Sequence, residues 1–256
     1  MILCIDIGNT NIKCGVFDKK QLVASFRLTS KHTSTSDEYG IVVRDLLSSV
    51  NLSKEDIEGV IISSVIPQLN YTMEHMCELY LGKKPLLVAP GLKTGINLKV
   101  ESPKEVGADR IVNSVCAYKK YGGKSPVICI DFGTATTINV VTERGEFIGG
   151  VIAPGIKTSL DSLVQGAAKL PYIELELPGH VICKDTTTNM QAGLLYGFVG
   201  LVEYLVERTK AELKKPCVVV ATGGLGEIIS KEAKCIDYTD RLLTLEGLRM
   251  LYELNS

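Results

Sequence analysis

The sequence predicts an α/β protein of two lobes related by internal duplication, and three observations carry that expectation. The first is ILCIDIGNTNIKCGVF, residues 2–17: an apolar run ending at Asp6, a Gly-Asn-Thr-Asn turn, then a run that alternates with period two. The apolar run reads as a strand buried on both faces and the alternating run as its hairpin partner. The second is VICIDFGTATTINVV, residues 127–141, which repeats the pattern 125 residues later without a gap, pairing Cys4 with Cys129, Ile5 with Ile130, Asp6 with Asp131 and Gly8 with Gly133. The third is the alternation of strand and helix patterns after each copy, which favours a mainly parallel sheet with its ligand crevice at the strands' carboxyl ends.

Each copy puts a carboxylate after the most buried strand of its half, beside a turn rich in exposed backbone N–H groups. That combination suits a metal-bound polyphosphate. A single Asp-x-Gly is common in turns that only reverse the chain. Two copies half a chain apart, each with a carboxylate where burial makes one costly, favour a nucleotide held between the two turns over duplication kept as architecture alone.

The remaining elements follow in order. Thr35 and Glu38 are spaced as a capping box, and Tyr39, Val42, Val43, Leu46, Leu47 and Val50 form the apolar face of the helix behind it. GVIISSVIP, residues 59–67, reads as a second buried strand whose serines meet Asp6 at the sheet edge; residues 68–82 read as helix and PLLVA as a third strand. The loop APGLKTGINLK leads to EVGADRIVNSVCAY, where Ile111, Val112, Val115 and Tyr118 have helical spacing and place Asp109 and Arg110 in the first turn. KKYGGKS, residues 119–125, breaks the apolar pattern and marks a boundary between lobes 1–118 and 119–256. In the second half, GGVIAPGIKTSL precedes a helix to about Leu170 and an alternating segment YIELELP. The polar loop KDTTTN then opens a long helix near Met190, with Leu194, Leu195, Phe198, Leu201, Val202 and Leu205 on its buried face. CVVVATGGLG is a core strand running into a glycine turn, and an amphipathic helix near 243–254 closes the chain.

Composition narrows the functional classes. A chain of 256 residues, 45% hydrophobic and 22% charged, buries a full core. A net charge of −1 with no basic block gives no reason to expect nucleic acid as a partner. No signal-peptide pattern opens the sequence and no apolar run reaches the roughly 18 residues of a spanning helix, so a cytoplasmic protein without membrane association is expected. The eight cysteines, at 4, 14, 77, 116, 129, 183, 217 and 235, lie in apolar patterns and never as C-x-x-C; buried free thiols are expected. His32, His75 and His180 fit no ligand spacing.

The pair DIGNT and DFGTATT resembles the phosphate motifs of the actin-like superfamily of sugar and acetate kinases. More narrowly, DIGNTNIK, PGLKTGINLK followed by EVGADR, DFGTATT, GGVIAPGI and TTTNMQAG occur in the order of the type III pantothenate kinases and cover nearly the whole chain. The resemblance implies two ribonuclease-H-like (actin-like ATPase) lobes with the nucleotide in the cleft between them, and ATP-dependent phosphorylation of pantothenate, the first step toward coenzyme A. The alternatives are a kinase for another small alcohol or acid on the same scaffold, and a non-catalytic actin-like ATP-binding regulator.

On that reading the ATP site comprises Asp6, Ile7, Gly8, Asn9, Thr10, Asn11, Ile12 and Lys13 with Thr134 of the second hairpin. Asp6 organises Mg²⁺ through water, since magnesium gives up its hydration reluctantly. Lys13 is either a compensating positive charge or a lysine on the hairpin's outer face; alternation leaves both open. The resemblance gives Asp131 the monovalent cation, K⁺ or NH₄⁺, and Gly223 and Gly224 the adenosine, where a tight strand-to-helix turn is the equal alternative. Asp109 is the candidate general base: a primary alcohol is a weak nucleophile, and a carboxylate that accepts its proton contributes about 10² to 10⁴ in rate. Position alone would make Asp109 a helix-terminus carboxylate; the segment GADR matches the family's substrate signature and reverses that. Gly107, Ala108 and Arg110 then line the acceptor with Val100 and Thr186, and three consecutive threonines leave the register open among Thr186, Thr187 and Thr188. Val100 departs from the aromatic residue of many relatives and removes one acceptor contact. The family also implies a homodimer.

Overall fold

The computed structural model describes all 256 residues and contains two compact units, each built on its own mixed sheet. Unit 1 comprises Met1–Gly95, Glu101–Cys116 and Leu242–Ser256; unit 2 comprises Ile96–Val100 and Ala117–Arg241.

Unit 1 holds β1 (Ile2–Ile7), β2 (Asn11–Asp18), β3 (Gln21–Thr29), α1 (Ser36–Ser49), β4 (Gly59–Ser64), α2 (Pro67–Met76) and β5 (Leu86–Leu87), in sheet order β3-β2-β1-β4-β5. The first three strands are antiparallel, and β4 and β5 run parallel to β1. Alternation sorts the faces. Leu3, Ile5 and Ile7 with Ile12, Cys14 and Val16 join the core that also takes Tyr39, Val43 and Leu47 of α1 and Leu69, Met73 and Met76 of α2. The opposite face carries Cys4, Asp6, Lys13, Gly15, Phe17 and Gly59. The capping box at Thr35 and Glu38 is present in both directions, at 3.2 and 2.7 Å. The buried stripe of α1 is narrower than its spacing suggested: Val42 and Val50 are exposed, and Gly40 is buried instead because the Tyr80 ring lies where its Cβ would be.

Unit 2 holds β6 (Asn97–Leu98), β7 (Val127–Phe132), β8 (Ala135–Val141), β9 (Glu146–Pro154), α4 (Ile156–Gly166), α5 (Thr186–Leu213), β10 (Val218–Gly223), α6 (Gly226–Ser230) and β11 (Tyr238–Thr239), in sheet order β11-β10-β7-β8-β9-β6. Without β6 this is the order of unit 1. Its core sets Ile128, Ile130, Phe132, Ile138 and Val140 against Leu195, Phe198, Val202 and Val206 of α5. α5 starts at Thr186, earlier than expected, because Asp185 caps it by accepting from the Thr188 N–H at 3.0 Å. The alternating YIELELP segment forms no strand and lies in the irregular stretch between α4 and α5.

Two expectations are corrected. The division does not run as 1–118 and 119–256. α3 (Ala108–Tyr121) contains the boundary after Cys116. The closing helix α7 (Leu243–Asn255) belongs to unit 1, where Leu245 fills the space over Gly15, Tyr252 that over Gly59, and Arg249 stacks on Phe17 at 5.8 Å. A residue range could not show this, because α7's apolar face is satisfied by a sheet whose last strand ends at Leu87, far earlier in the chain. The gapless repeat also ends at the turn. In the first hairpin Ile7 pairs with Ile12 and Asp6 with Lys13; in the second Phe132 pairs with Thr136 and Asp131 with Thr137. The second turn is one residue shorter, so Lys13 corresponds to Thr137 and not to Ile138.

Candidate active site

In unit 1 the register collects the chemistry into one row across the sheet. Asp6 lies opposite Lys13 on β2 and beside Ser63 on β4, and Lys13 lies opposite Arg27 on β3. All four side chains therefore share one face. That settles the position of Lys13, which sits on the Asp6 side with its ammonium 3.9 Å from the Asp6 carboxylate. Asp6 is only 7% exposed, so the charge pair is weakly screened by water. Ile7 and Ile12 flank the turn as core side chains and contribute backbone only.

The turn from Gly8 to Asn11 is held closed by the Gly8 N–H donating to the Asn11 carbonyl at 3.1 Å. Ser30, just past β3, braces it: its hydroxyl donates to the Gly8 carbonyl at 2.5 Å and its N–H to the Thr10 carbonyl at 3.1 Å. Asn9 and Thr10 are exposed at the tip.

α3 brings Asp109 to the same unit. The Arg110 N–H donates to Asp109 Oδ1 at 2.7 Å, which turns the carboxylate back over the start of its helix. A Cβ on Gly107 would stand 2.7 Å from that oxygen, so Gly107 leaves the room this rotamer needs. Burial pushes the Asp109 carboxyl above the usual carboxylate range; the Arg110 N–H, the Arg110 charge and the Lys13 ammonium pull it partly back. Lys13 thus acts on Asp6 through contact and on Asp109 through its field. Ala108 and Arg110 are half-buried beside it.

In unit 2 the corresponding row is Ile152, Thr137, Asp131 and Thr222, and Asp240 extends it just beyond β11. Asp131 therefore stands between two hydroxyl-bearing side chains with no lysine opposite. Thr137 also accepts from Asn139 Nδ2 at 3.3 Å. Asp240 is occupied by Lys120 at 2.6 Å and the Tyr121 hydroxyl at 3.0 Å. Gly223, at φ +98°, passes so close that a Cβ would lie 2.6 Å from the Phe132 N and 2.7 Å from Asp131 Oδ1. The glycine keeps a cradle open beside that carboxylate. Thr134 is exposed, its carbonyl accepting from the Gly155 N–H at 3.0 Å and the Thr158 hydroxyl at 2.7 Å.

The candidate acceptor residues divide between the units: Gly107 to Arg110 in unit 1, Val100 and Thr186 in unit 2. Val100 follows the edge strand β6, half-buried near Gly149 of β9. Of the three threonines, Thr188 is engaged by the Asp185 carboxylate at 2.6 Å, while Thr186 and Thr187 are exposed. The residues that sequence reasoning missed are Arg27 and Ser30, because β3 itself was not recognised. Its alternation in QLVASFRLT and the preceding Asp-Lys-Lys turn were available as a signal.

No three His, Cys, Asp or Glu side chains converge; the central carboxylate is Asp6 in the first row and Asp131 in the second, while Asp240 is held by Lys120 and Tyr121. Hard cations completed by phosphate, water, hydroxyl and backbone oxygen fit that supply; zinc or an iron–sulfur cluster does not.

A fold of this kind occurs in a protein from Campylobacter jejuni described as a Baf family transcriptional activator, with TM-score 0.64, 17% identity and coverage of 99% of this chain and 98% of that one. It also occurs in a protein from Sinorhizobium meliloti described as a 2-dehydro-3-deoxygalactonokinase (0.59, 10%, 99% and 96%) and in the inorganic polyphosphate/ATP-glucomannokinase of an Arthrobacter species (0.51, 16%, 99% and 97%). The likeness covers both mixed α/β sheets. The sequence pattern of type III pantothenate kinase matches residues 2–208, from the first hairpin into α5. That match spans both hairpins, Asp109 and the start of the long helix, and the chain belongs to the type III pantothenate kinase family.

Proposed function

We propose that the protein transfers the γ-phosphoryl group of ATP to the primary hydroxyl of pantothenate, giving 4′-phosphopantothenate at the start of coenzyme A synthesis. The observation that carries this reading is the grouping of Asp6, Lys13 and a partly desolvated Asp109 in one unit. Phosphoryl transfer requires alignment and charge neutralisation more than covalent chemistry. A turn with an adjoining lysine receives the polyphosphate, and a carboxylate of raised proton affinity takes the hydroxyl proton as the new P–O bond forms and the bond from the γ-phosphorus to the β,γ-bridging oxygen breaks, releasing ADP.

In this scheme Gly8 to Asn11 and Lys13 hold the donor's phosphates, and Thr134 adds a hydrogen bond to them. Asp6 holds Mg²⁺ through water, and Asp131 with its neighbouring hydroxyls holds K⁺ or NH₄⁺; the cradle beside Gly223 and the absence of a lysine support that division. Bound there, the cations neutralise charge on the donor phosphates. Gly107, Ala108, Arg110, Val100 and Thr186 position the acceptor, with the Arg110 guanidinium suited to its carboxylate. The active species is a cytoplasmic homodimer; no helix is long and apolar enough to cross a membrane.

Purified protein incubated with ATP, Mg²⁺, K⁺ and pantothenate should yield 4′-phosphopantothenate. No product under those conditions refutes the reading. A panel of small alcohols and acids separates pantothenate from another acceptor, and nucleotide binding without any acceptor phosphorylation would instead indicate a regulator.

A further inference from the structure

The unit 1 row contains a repulsion that the protein itself leaves in place. Lys13 and Arg27 are direct cross-strand partners on the same face of β2 and β3, and like charges in that arrangement destabilise a sheet. Lys13 has Asp6 at 3.9 Å. Arg27 is exposed and has no hydrogen-bond or ion-pair partner. Its neighbours on that face, Ser25 and Thr29 along β3 and Asn11 on β2, are uncharged. Two residues beyond Arg27, β3 ends at Thr29, and Ser30 then grips the turn through the Gly8 and Thr10 carbonyls. Arg27 therefore stands on the strand that braces the turn. α7 reaches this face only at the next position along β2, where Leu245 packs over Gly15. Arg27 is left open to solvent, with Lys13 half-buried beside it.

We propose that Arg27 is a further binding residue for the donor's polyphosphate, forming with Lys13 a two-cation clamp beside the turn. The proposal rests on reading that turn as the phosphate site. A polyanion between the two cations converts their repulsion into shared attraction, and the planar guanidinium matches adjacent phosphate oxygens with paired N–H donors that an ammonium lacks.

The test uses the whole protein and measures Mg·ATP and inorganic tripolyphosphate binding by calorimetry, with no acceptor present, for Arg27→Gln, Arg27→Lys and the control Arg44→Ala on the exposed face of α1. Arg27→Gln should bind both polyphosphates about tenfold more weakly, as expected for loss of a charge-assisted contact. Its melting temperature without ligand should equal or exceed that of the wild type, because the repulsion has been removed. Arg27→Lys should recover part of the affinity, and Arg44→Ala should bind as the wild type does. Undiminished Mg·ATP binding by Arg27→Gln overturns the proposal, as does a lowered melting temperature, which would make the arginine structural. A raised KM for the acceptor with unchanged nucleotide affinity would also overturn it, assigning Arg27 to the acceptor's carboxylate. Failure of the broader reading shows separately, as absence of turnover in the wild type.

Discussion

The two hairpins put the same carboxylate at the same place in the same strand order, yet the surroundings are cationic in the first and uncharged in the second. Beside Asp6 stand Lys13 and then Arg27; beside Asp131 stand Thr137 and then Ile152. On the other flank the first has Ser63 and the second Thr222. One residue fewer in the second turn changes which side chain faces the aspartate. The same loss puts Thr137, and not Ile138, in position there. A carboxylate backed by two cations suits bound phosphate, whereas one flanked by hydroxyls and a glycine cradle suits a bound cation. The duplication thus supplied two copies of a backbone site, and the side chains opposite the aspartates differentiated them.

Five measurements break or sharpen that comparison. Only the first hairpin addresses Asp109, through Lys13, so Asp109→Asn should lower kcat by about 10² to 10⁴ while nucleotide binding persists. A fully active variant removes the base from the scheme. The same variant should be more stable than the wild type at neutral pH. The folded state raises Asp109's proton affinity, so the group's favourable contribution is present below the ordinary carboxylate range and is lost as pH rises through the folded value. The variant's advantage should disappear in acid, which chemical denaturation at two pH values can check.

Next in size is Gly223→Ala, expected to cost about 1 to 3 kcal/mol because the new Cβ meets Phe132 backbone at 2.6 Å and φ is +98°. The hairpin glycine Gly133 is different: a Cβ there meets nothing closer than 3.5 Å, and Gly133→Ala should shift stability by less than about 0.5 kcal/mol. Equal costs would mean that the cradle is not tight.

Thr137→Lys rebuilds the first hairpin's pairing in the second. The wild type should lose at least about tenfold in kcat when K⁺ and NH₄⁺ are replaced by a larger organic cation. Thr137→Lys should be indifferent to the exchange, since its ammonium occupies the place of the ion. A variant that still requires K⁺ separates Asp131 from the cation. The smallest effect expected is on pH. The acid limb of kcat/KM should lie above the ordinary carboxylate range, and Lys13→Ala should move it higher still by removing a positive charge that holds the Asp109 carboxyl down. A limb that moves toward acid contradicts that coupling.

Much of this was legible in one dimension. The period-two run and its repeat identify both hairpins, the Thr35 and Glu38 spacing identifies the α1 cap, and the helical spacing of Ile111, Val112 and Val115 puts Asp109 in the first turn of α3. β3 is harder to read because it is an edge strand with only Ala24 of its nine residues buried, so its alternation carries little apolar contrast. The extent of α5 was misjudged because its first turn is polar and held by Asp185, a capping interaction that leaves no apolar periodicity to read.

What the sequence determined by itself was the local grammar: which segments alternate, where helices begin, and where two aspartates end their strands. Those properties depend on neighbours a few residues apart. The register of β2 against β1, the face on which Lys13 and Arg27 meet, the single-residue difference between the turns and the return of α7 to the first sheet were decided only in three dimensions. Each depends on hydrogen-bond pairing and side-chain volume between segments far apart in the chain, where a slip of one residue turns every side chain to the other face.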